Sequence, residues 1–152
     1  MRINKIDLKT YQLVVNLFDK YRIFYKQASN LELANDFIRE RIINNESVIF
    51  VAQNTDNVPM GFTQLYPIFS SVRATKNWLL NDLYVDSPFR KQGIGEALIK
   101  KAMDFAKGEN ASYLKLETAE DNYTAQSLYE AIGFIKESLL GGYFTYKMSL
   151  QS

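Results

Sequence analysis

The chain has 152 residues and contains neither cysteine nor histidine. Without cysteine there is no disulfide, no thiolate nucleophile and no Cys/His zinc site, and no metal is expected. Without histidine a Ser-His-Asp triad is excluded, and a covalent acyl-enzyme would need a serine or lysine activated in a less common way. These absences favour direct transfer of a group between two bound substrates. Long apolar runs are also missing: no stretch approaches the roughly 20 residues of a membrane span, and Met1-Arg2-Ile3-Asn4-Lys5 lacks the apolar run of a secretory signal. The expectation is a soluble cytoplasmic protein with no membrane partner. Nor does one sign of charge dominate. The 18 basic and 17 acidic residues leave a formal charge of +1, so no broad basic field attracts nucleic acid.

What is present is ordinary globular material. With 47% hydrophobic and 23% charged residues, no long disordered segment is expected. The length suits one domain, 1–152, which buries roughly 70% of the surface its unfolded chain exposes. Met1 to Asp7 reads as a weakly marked edge strand. Leu13, Val14, Leu17, Phe18 and Tyr21 recur at helical spacing, and Ser29 with Glu32 has the spacing of a capping box for a second helix. Between them, Tyr21-Arg22-Ile23-Phe24-Tyr25 is either a helix end packed on the core or one wall of a substrate pocket. Ser47–Gln53 and Val58–Tyr66 read as a hairpin around Asn54-Thr55-Asp56-Asn57. Pro67 is expected to end its second strand, and residues 68–73 to cross to a strand from Trp78 to Val85.

The stretch Arg90-Lys91-Gln92-Gly93-Ile94-Gly95-Glu96-Ala97 follows that strand. Two glycines one residue apart let the backbone turn tightly and approach a ligand, and the start of a helix there offers N–H groups and a positive dipole end to a phosphate. A plain strand-to-helix turn with solvated bases has the same sequence. It is neither a Walker loop, which needs Gly-Lys followed by Ser or Thr, nor a dinucleotide fingerprint, which needs a third Gly or Ala where Leu98 stands. The helix runs to about Lys107, burying Leu98, Ala102, Phe105 and Ala106 before Gly108. A strand over Ser112–Thr118 returns parallel to the one before, a unit that places ligands at its first turn. Asp121 or Asn122 can cap a last helix with the stripe Ala125, Leu128, Tyr129, Ile132. Gly133 stops it, and strands Ile135–Leu139 and Tyr143–Leu150 close the chain around Gly141-Gly142.

Three of these segments in this order resemble the GNAT superfamily of N-acetyltransferases. Arg90-Lys91-Gln92-Gly93-Ile94-Gly95 matches its pyrophosphate loop, Asn122-Tyr123-Thr124-Ala125 its Asn-x-x-Ala segment, and Tyr129-Glu130-Ala131-Ile132-Gly133-Phe134 its Tyr-x-x-x-Gly-Phe segment. Gly61-Phe62-Thr63-Gln64-Leu65-Tyr66 fits the family's third strand more loosely. The stretch Phe62–Pro67 with Trp78–Val85 also looks like a bacterial subgroup labelled after histone and polyamine acetyltransferases. The resemblance implies a single α/β (α+β) domain with a mixed, mostly antiparallel sheet of six or seven strands flanked by helices. It also implies a homodimer by family habit, with acetyl-CoA as cosubstrate and a primary amine of a small molecule or protein as acceptor.

In that resemblance the donor's pyrophosphate lies on the backbone of Gln92, Gly93, Ile94, Gly95 and Glu96 beside Arg90 and Lys91. Its pantetheine arm runs along Leu83, Tyr84 and Val85, with Asn122 and Ala125 near CoA. Tyr129 would protonate or hydrogen-bond the departing thiolate. For the base, Asp82 comes first and Glu117 second. Asp82 alternates with Asn81, so a regular strand turns only one of them into the pocket, and a bulge would undo that parity. Tyr21, Phe24, Tyr25, Tyr66, Phe69, Trp78 and Tyr84 would line the acceptor side, with Asn81. A non-catalytic acyl-CoA sensor or interaction module is the alternative.

Overall fold

β2 (Val48–Gln53) is buried at every position, which requires cover on both faces of the sheet. The computed structural model, which describes residues 1–151, supplies that cover. Val48, Phe50 and Ala52 face a core containing α3 (Ile94–Gly108), while Ile49 and Val51 face α1 (Gln12–Phe24) and α2 (Leu31–Ile43). The other elements are β1 (Arg2–Lys5), β3 (Pro59–Ser70), β4 (Thr75–Val85), β5 (Tyr113–Ala119), α4 (Tyr123–Ile132), β6 (Ile135–Leu140) and β7 (Tyr143–Ser149). The strands form one sheet of seven in the order β1-β2-β3-β4-β5-β7-β6. Neighbours are antiparallel except β4 and β5, which α3 joins as a parallel pair. This is the expected mixed, mostly antiparallel α/β sheet.

Three local expectations need correction. Pro67 does not end β3, which continues to Ser70 and returns through a hairpin into β4 at Thr75. The reason is that β2 leaves β3 at Leu65, so Pro67 sits where one edge of β3 is free and its missing N–H costs no ladder bond. The second helix is capped by Asn30, whose Oδ1 accepts from the Leu33 amide at 3.1 Å, and not by Ser29. Ser29 Oγ instead donates to the buried Asp19 carboxylate at 2.7 Å, and the Asn30 amide donates to the same group at 2.8 Å. On α3 the fully buried stripe is Ile94, Leu98, Ile99, Ala102 and Ala106, with Phe105 half-buried against Phe50 and Trp78. Shortening Leu98 or Ile99 to alanine there would cost about 2–5 kcal/mol.

Two glycines set the geometry near β4. A Cβ at Gly61 would lie 2.7 Å from the Tyr84 carbonyl oxygen, so only glycine lets β3 approach the end of β4 this closely. Gly93 takes φ +80° at the N-cap of α3, a left-handed turn that starts the helix at Ile94, three residues after the basic pair ends.

Candidate active site

β4 and β5 pair only at Trp78 with Leu114 and Leu79 with Lys115. The Asn77 side chain tightens this closed end, its Oδ1 accepting from the Ser112 amide at 2.7 Å and the Tyr113 amide at 3.3 Å. Beyond Leu79 the strands diverge, because β3 holds β4 through Val85 while β7 holds β5 through Ala119. A cavity of about 750 Å³ occupies the gap. One side is built from Leu83, Tyr84 and Val85, from Arg90 and Gly95 at the start of α3, and from Asn122, Ala125 and Tyr129 of α4. The other carries Tyr21, Phe24 and Tyr25 at the end of α1, with Asn81, Glu117 and Tyr143.

A bulge decides the orientation of Asp82. The β3–β4 register passes from Gln64–Asp82 to Leu65–Leu80, leaving Asn81 as the extra residue. Asn81 therefore lines the cavity and Asp82 lies behind its wall, 3% exposed. The Gln64 amide donates to one Asp82 oxygen, and Asn81 Nδ2 donates to the other at 2.7 Å. The Tyr21 hydroxyl is a third partner. The carboxylate on the cavity surface is Glu117, the second of the two bases considered, with Lys115 Nζ 3.7 Å away.

Three expected acceptor-side residues do not line the cavity. Trp78 is core, 3% exposed, its ring 5.0 Å from that of Phe105. Phe69 is carried out on the β3–β4 hairpin and is 71% exposed. Tyr66 is half-buried, close enough to Asp82 to feel its charge. The placement of Phe69 follows from β3 running on past Pro67. Lys91, Gln92 and Gly93 form the exposed turn at the rim, Glu96 is half-buried in the first turn of α3, and Ile94 is buried beneath it as an anchor. The segment from Tyr21 to Tyr25 is divided between the core and the cavity. Tyr21 packs edge-on against Phe62 at 5.8 Å, while Phe24 and Tyr25 are exposed on the cavity wall. Tyr143 was not anticipated; the Gly141-Gly142 turn that starts β7 sets it opposite Tyr25, and only that long-range placement reveals it.

The acetyltransferase (GNAT) family model matches residues 11–134. The chain belongs to this family. It is an acetyl-CoA-dependent acetyltransferase. An uncharacterized N-acetyltransferase of Bacillus subtilis (strain 168), YhfO, is 40% identical over 138 residues, 91% of this chain and 92% of its own. A crystal structure of a "probable acetyltransferase" superposes with a TM-score of 0.86 at 37% identity, covering 91% of this chain and 92% of that one. The PaiA N-acetyltransferase of Thermoplasma acidophilum, in complex with coenzyme A, shares the fold with a TM-score of 0.70 at 19% identity over 98% of this chain and 99% of its own.

The residues of this acetyltransferase fit such a donor. No side chain caps the first turn of α3, so its N–H groups remain open. A Cβ on Gly95 would meet only Val85 Cγ2, at 3.8 Å, so the space beside this turn is free for a ligand and not filled by the fold. Arg90 Nε donates to the Val85 carbonyl at 2.9 Å, which fixes its guanidinium beside the turn, 5.6 Å from the centre of the Tyr84 ring. Asn122 Oδ1 accepts from the Ala125 amide at 3.2 Å, so its carbonyl caps α4 while the residue also lines the cavity. Burial, then neighbouring Tyr25 and Tyr146, push the Tyr129 phenol up to about 12. Burial likewise raises Asp82, with the hydrogen bonds from Gln64, Asn81 and Tyr21 offsetting part of the effect. Among the described residues no helix is long and apolar enough to cross a membrane.

Proposed function

We propose that the chain transfers acetyl from acetyl-CoA directly to a primary amine held with it in one ternary complex. The observation that carries this reading is the single cavity joining the glycine turn of α3 to Tyr129 and Glu117 through the gap between β4 and β5. The donor's pyrophosphate rests on the amides from Gln92 to Glu96 with Arg90 and Lys91 alongside, and its pantetheine arm lies along Leu83–Val85. Alternate N–H groups of that strand point away from β3 and are available to the thioester oxygen, where one such donor is worth about 3 kcal/mol in the transition state.

Glu117 takes the proton of the acceptor ammonium, and the freed nitrogen lone pair attacks the thioester carbon. The nitrogen of the resulting tetrahedral adduct gives its second proton to water, the C–S bond breaks with its electrons leaving on sulfur, and the neutral amide remains. Tyr129 meets that charge as a hydrogen-bond donor. A phenol near 12 is a weaker acid than a thiol near 8.5, so it shares its proton with the thiolate and does not give it up. Asp82 acts through Tyr21 and Asn81, which it orients into the cavity. Tyr25, Phe24 and Tyr143 suit an amine with an apolar or second cationic body, through cation–π contact.

The test is a thiol-release assay over alkyl amines, diamines, amino sugars and peptide N-termini, in which the absence of cysteine leaves CoA as the sole thiol. Tyr129→Phe should lower kcat about 100-fold while acetyl-CoA affinity changes little, and Glu117→Gln should lower kcat at least about 100-fold with acetyl-CoA affinity likewise little changed. Tight acetyl-CoA binding with no thiol release from any amine class would favour the alternative, a non-catalytic acyl-CoA sensor.

A further inference from the structure

The closed end of the cavity is made of two leucines. Leu80 and Leu116 are the first residues beyond the last β4–β5 pair, one on each diverging strand, and both line the cavity. Their side chains are 5% and 1% exposed and belong to the core on the α3 face of the sheet. What lies beyond them is solid. Leu114 is fully buried, Trp78 packs edge to face with Phe105, and Tyr146, paired in register with Leu116, is fully buried with its ring 5.8 Å from that of Tyr129. Asn81 and Glu117, the next residues on the two strands, also line the cavity, and an alkyl chain turned against them would strip water from an amide and a carboxylate without replacing their hydrogen bonds.

We propose that Leu80 and Leu116 set the acyl length this enzyme accepts, stopping the donor chain at acetyl. The inference rests on the donor lying along Leu83–Val85 with its thioester beside Tyr129. In that position the acyl methyl points to the place where the strands meet, and the two leucine side chains are what a second or third carbon encounters. A close-packed wall of this kind discriminates by the cost of moving it, and each added methylene that a hydrophobic pocket must admit is worth about 10- to 200-fold. Neither position is distinguishable from ordinary core by its own strand pattern. Only the divergence of β4 from β5 makes these two leucines a cavity floor.

Calorimetric titration of the purified full chain with CoA, acetyl-CoA and butyryl-CoA tests the assignment without an acceptor. Wild type should bind acetyl-CoA and CoA similarly and butyryl-CoA at least about tenfold more weakly. Leu116→Ala and Leu80→Ala should bring butyryl-CoA to within about threefold of acetyl-CoA while the acetyl-CoA affinity stays within the same factor. If either alanine variant loses CoA binding altogether, the milder Leu116→Val and Leu80→Val serve, with a partial shift in the same direction expected. Equal binding of acetyl-CoA and butyryl-CoA by wild type overturns the proposal. So do variants that bind acetyl-CoA normally and still reject butyryl-CoA. Failure of wild type to bind CoA itself overturns instead the placement of the donor on which the proposal stands.

Discussion

Asp82 shows how far one side chain's role depends on its neighbours. Its carboxyl is raised above the ordinary aspartate value by burial, so the folded protein holds this proton more tightly than the unfolded chain does. The resulting stabilisation is fully present below the unfolded value of about 3.9 and is lost as pH rises through the raised folded value. In Asp82→Asn that dependence is absent. The melting temperature of wild type minus that of the variant should therefore fall as pH rises from about 4 to 7, whatever constant offset the amide introduces. A difference that stays flat over this range, measured by circular dichroism melts in matched buffers, would mean that Asp82 titrates as it does unfolded. The sequence made the Asn81/Asp82 alternative visible but could not resolve it, because the bulge is a property of how β3 pairs with β4 and leaves no mark in β4 alone. Tyr129 and Asn122 were legible because helix period and capping chemistry are local.

Elements were readable wherever a short-range signal coincided with the tertiary requirement. The β4–turn–α3–β5 unit is such a case: glycines and parallel return agree, and the structure adds the exact start of the helix and the burial of Ile99 ahead of Phe105 on its stripe. It also separates the duties of the two glycines. Gly93 is needed for its left-handed φ although a Cβ there would touch nothing, so Gly93→Ala should cost roughly 1–2 kcal/mol of folding stability. Gly95 has ordinary helical geometry and room for a side chain on the cavity side. Gly95→Glu should then leave the denaturation midpoint within about 0.5 kcal/mol of wild type while weakening acetyl-CoA at least about 100-fold, since a carboxylate would stand where phosphate oxygens bind. Urea denaturation and calorimetry on the same two variants check this, and a Gly95→Glu protein that binds acetyl-CoA normally would remove α3 from the donor site. The acceptor wall was read less well. Phe69 falls in the crossing expected after Pro67, whereas the free edge of β3 beyond Leu65 lets the proline continue the strand and carry Phe69 outward, while Trp78, in a strand as expected, packs into the core.

At the scale of the whole molecule the sheet carries two cores, one against α3 and α4 and one against α1 and α2, and the cavity draws its walls from both sides. A ligand in that gap touches α1 on one side and α3 and α4 on the other, so its binding energy acts on both halves at once. β2 and β3 are buried on both faces and belong to both cores, which leaves no plane along which one half could unfold while keeping its own interior. The chain should therefore melt in one transition, with calorimetric and van't Hoff enthalpies equal. Acetyl-CoA at 100 times its dissociation constant adds about 2.7 kcal/mol to the folded state, which for a chain of this length raises the melting temperature by roughly 5–10 °C. The whole transition should move together. Differential scanning calorimetry with and without acetyl-CoA distinguishes this from a molecule in which α1, α2 and their strands unfold separately. In that case two peaks would be seen and only the one containing α3 and α4 would shift, which would mean that the acceptor wall is not held in place by the same cooperative unit that holds the donor.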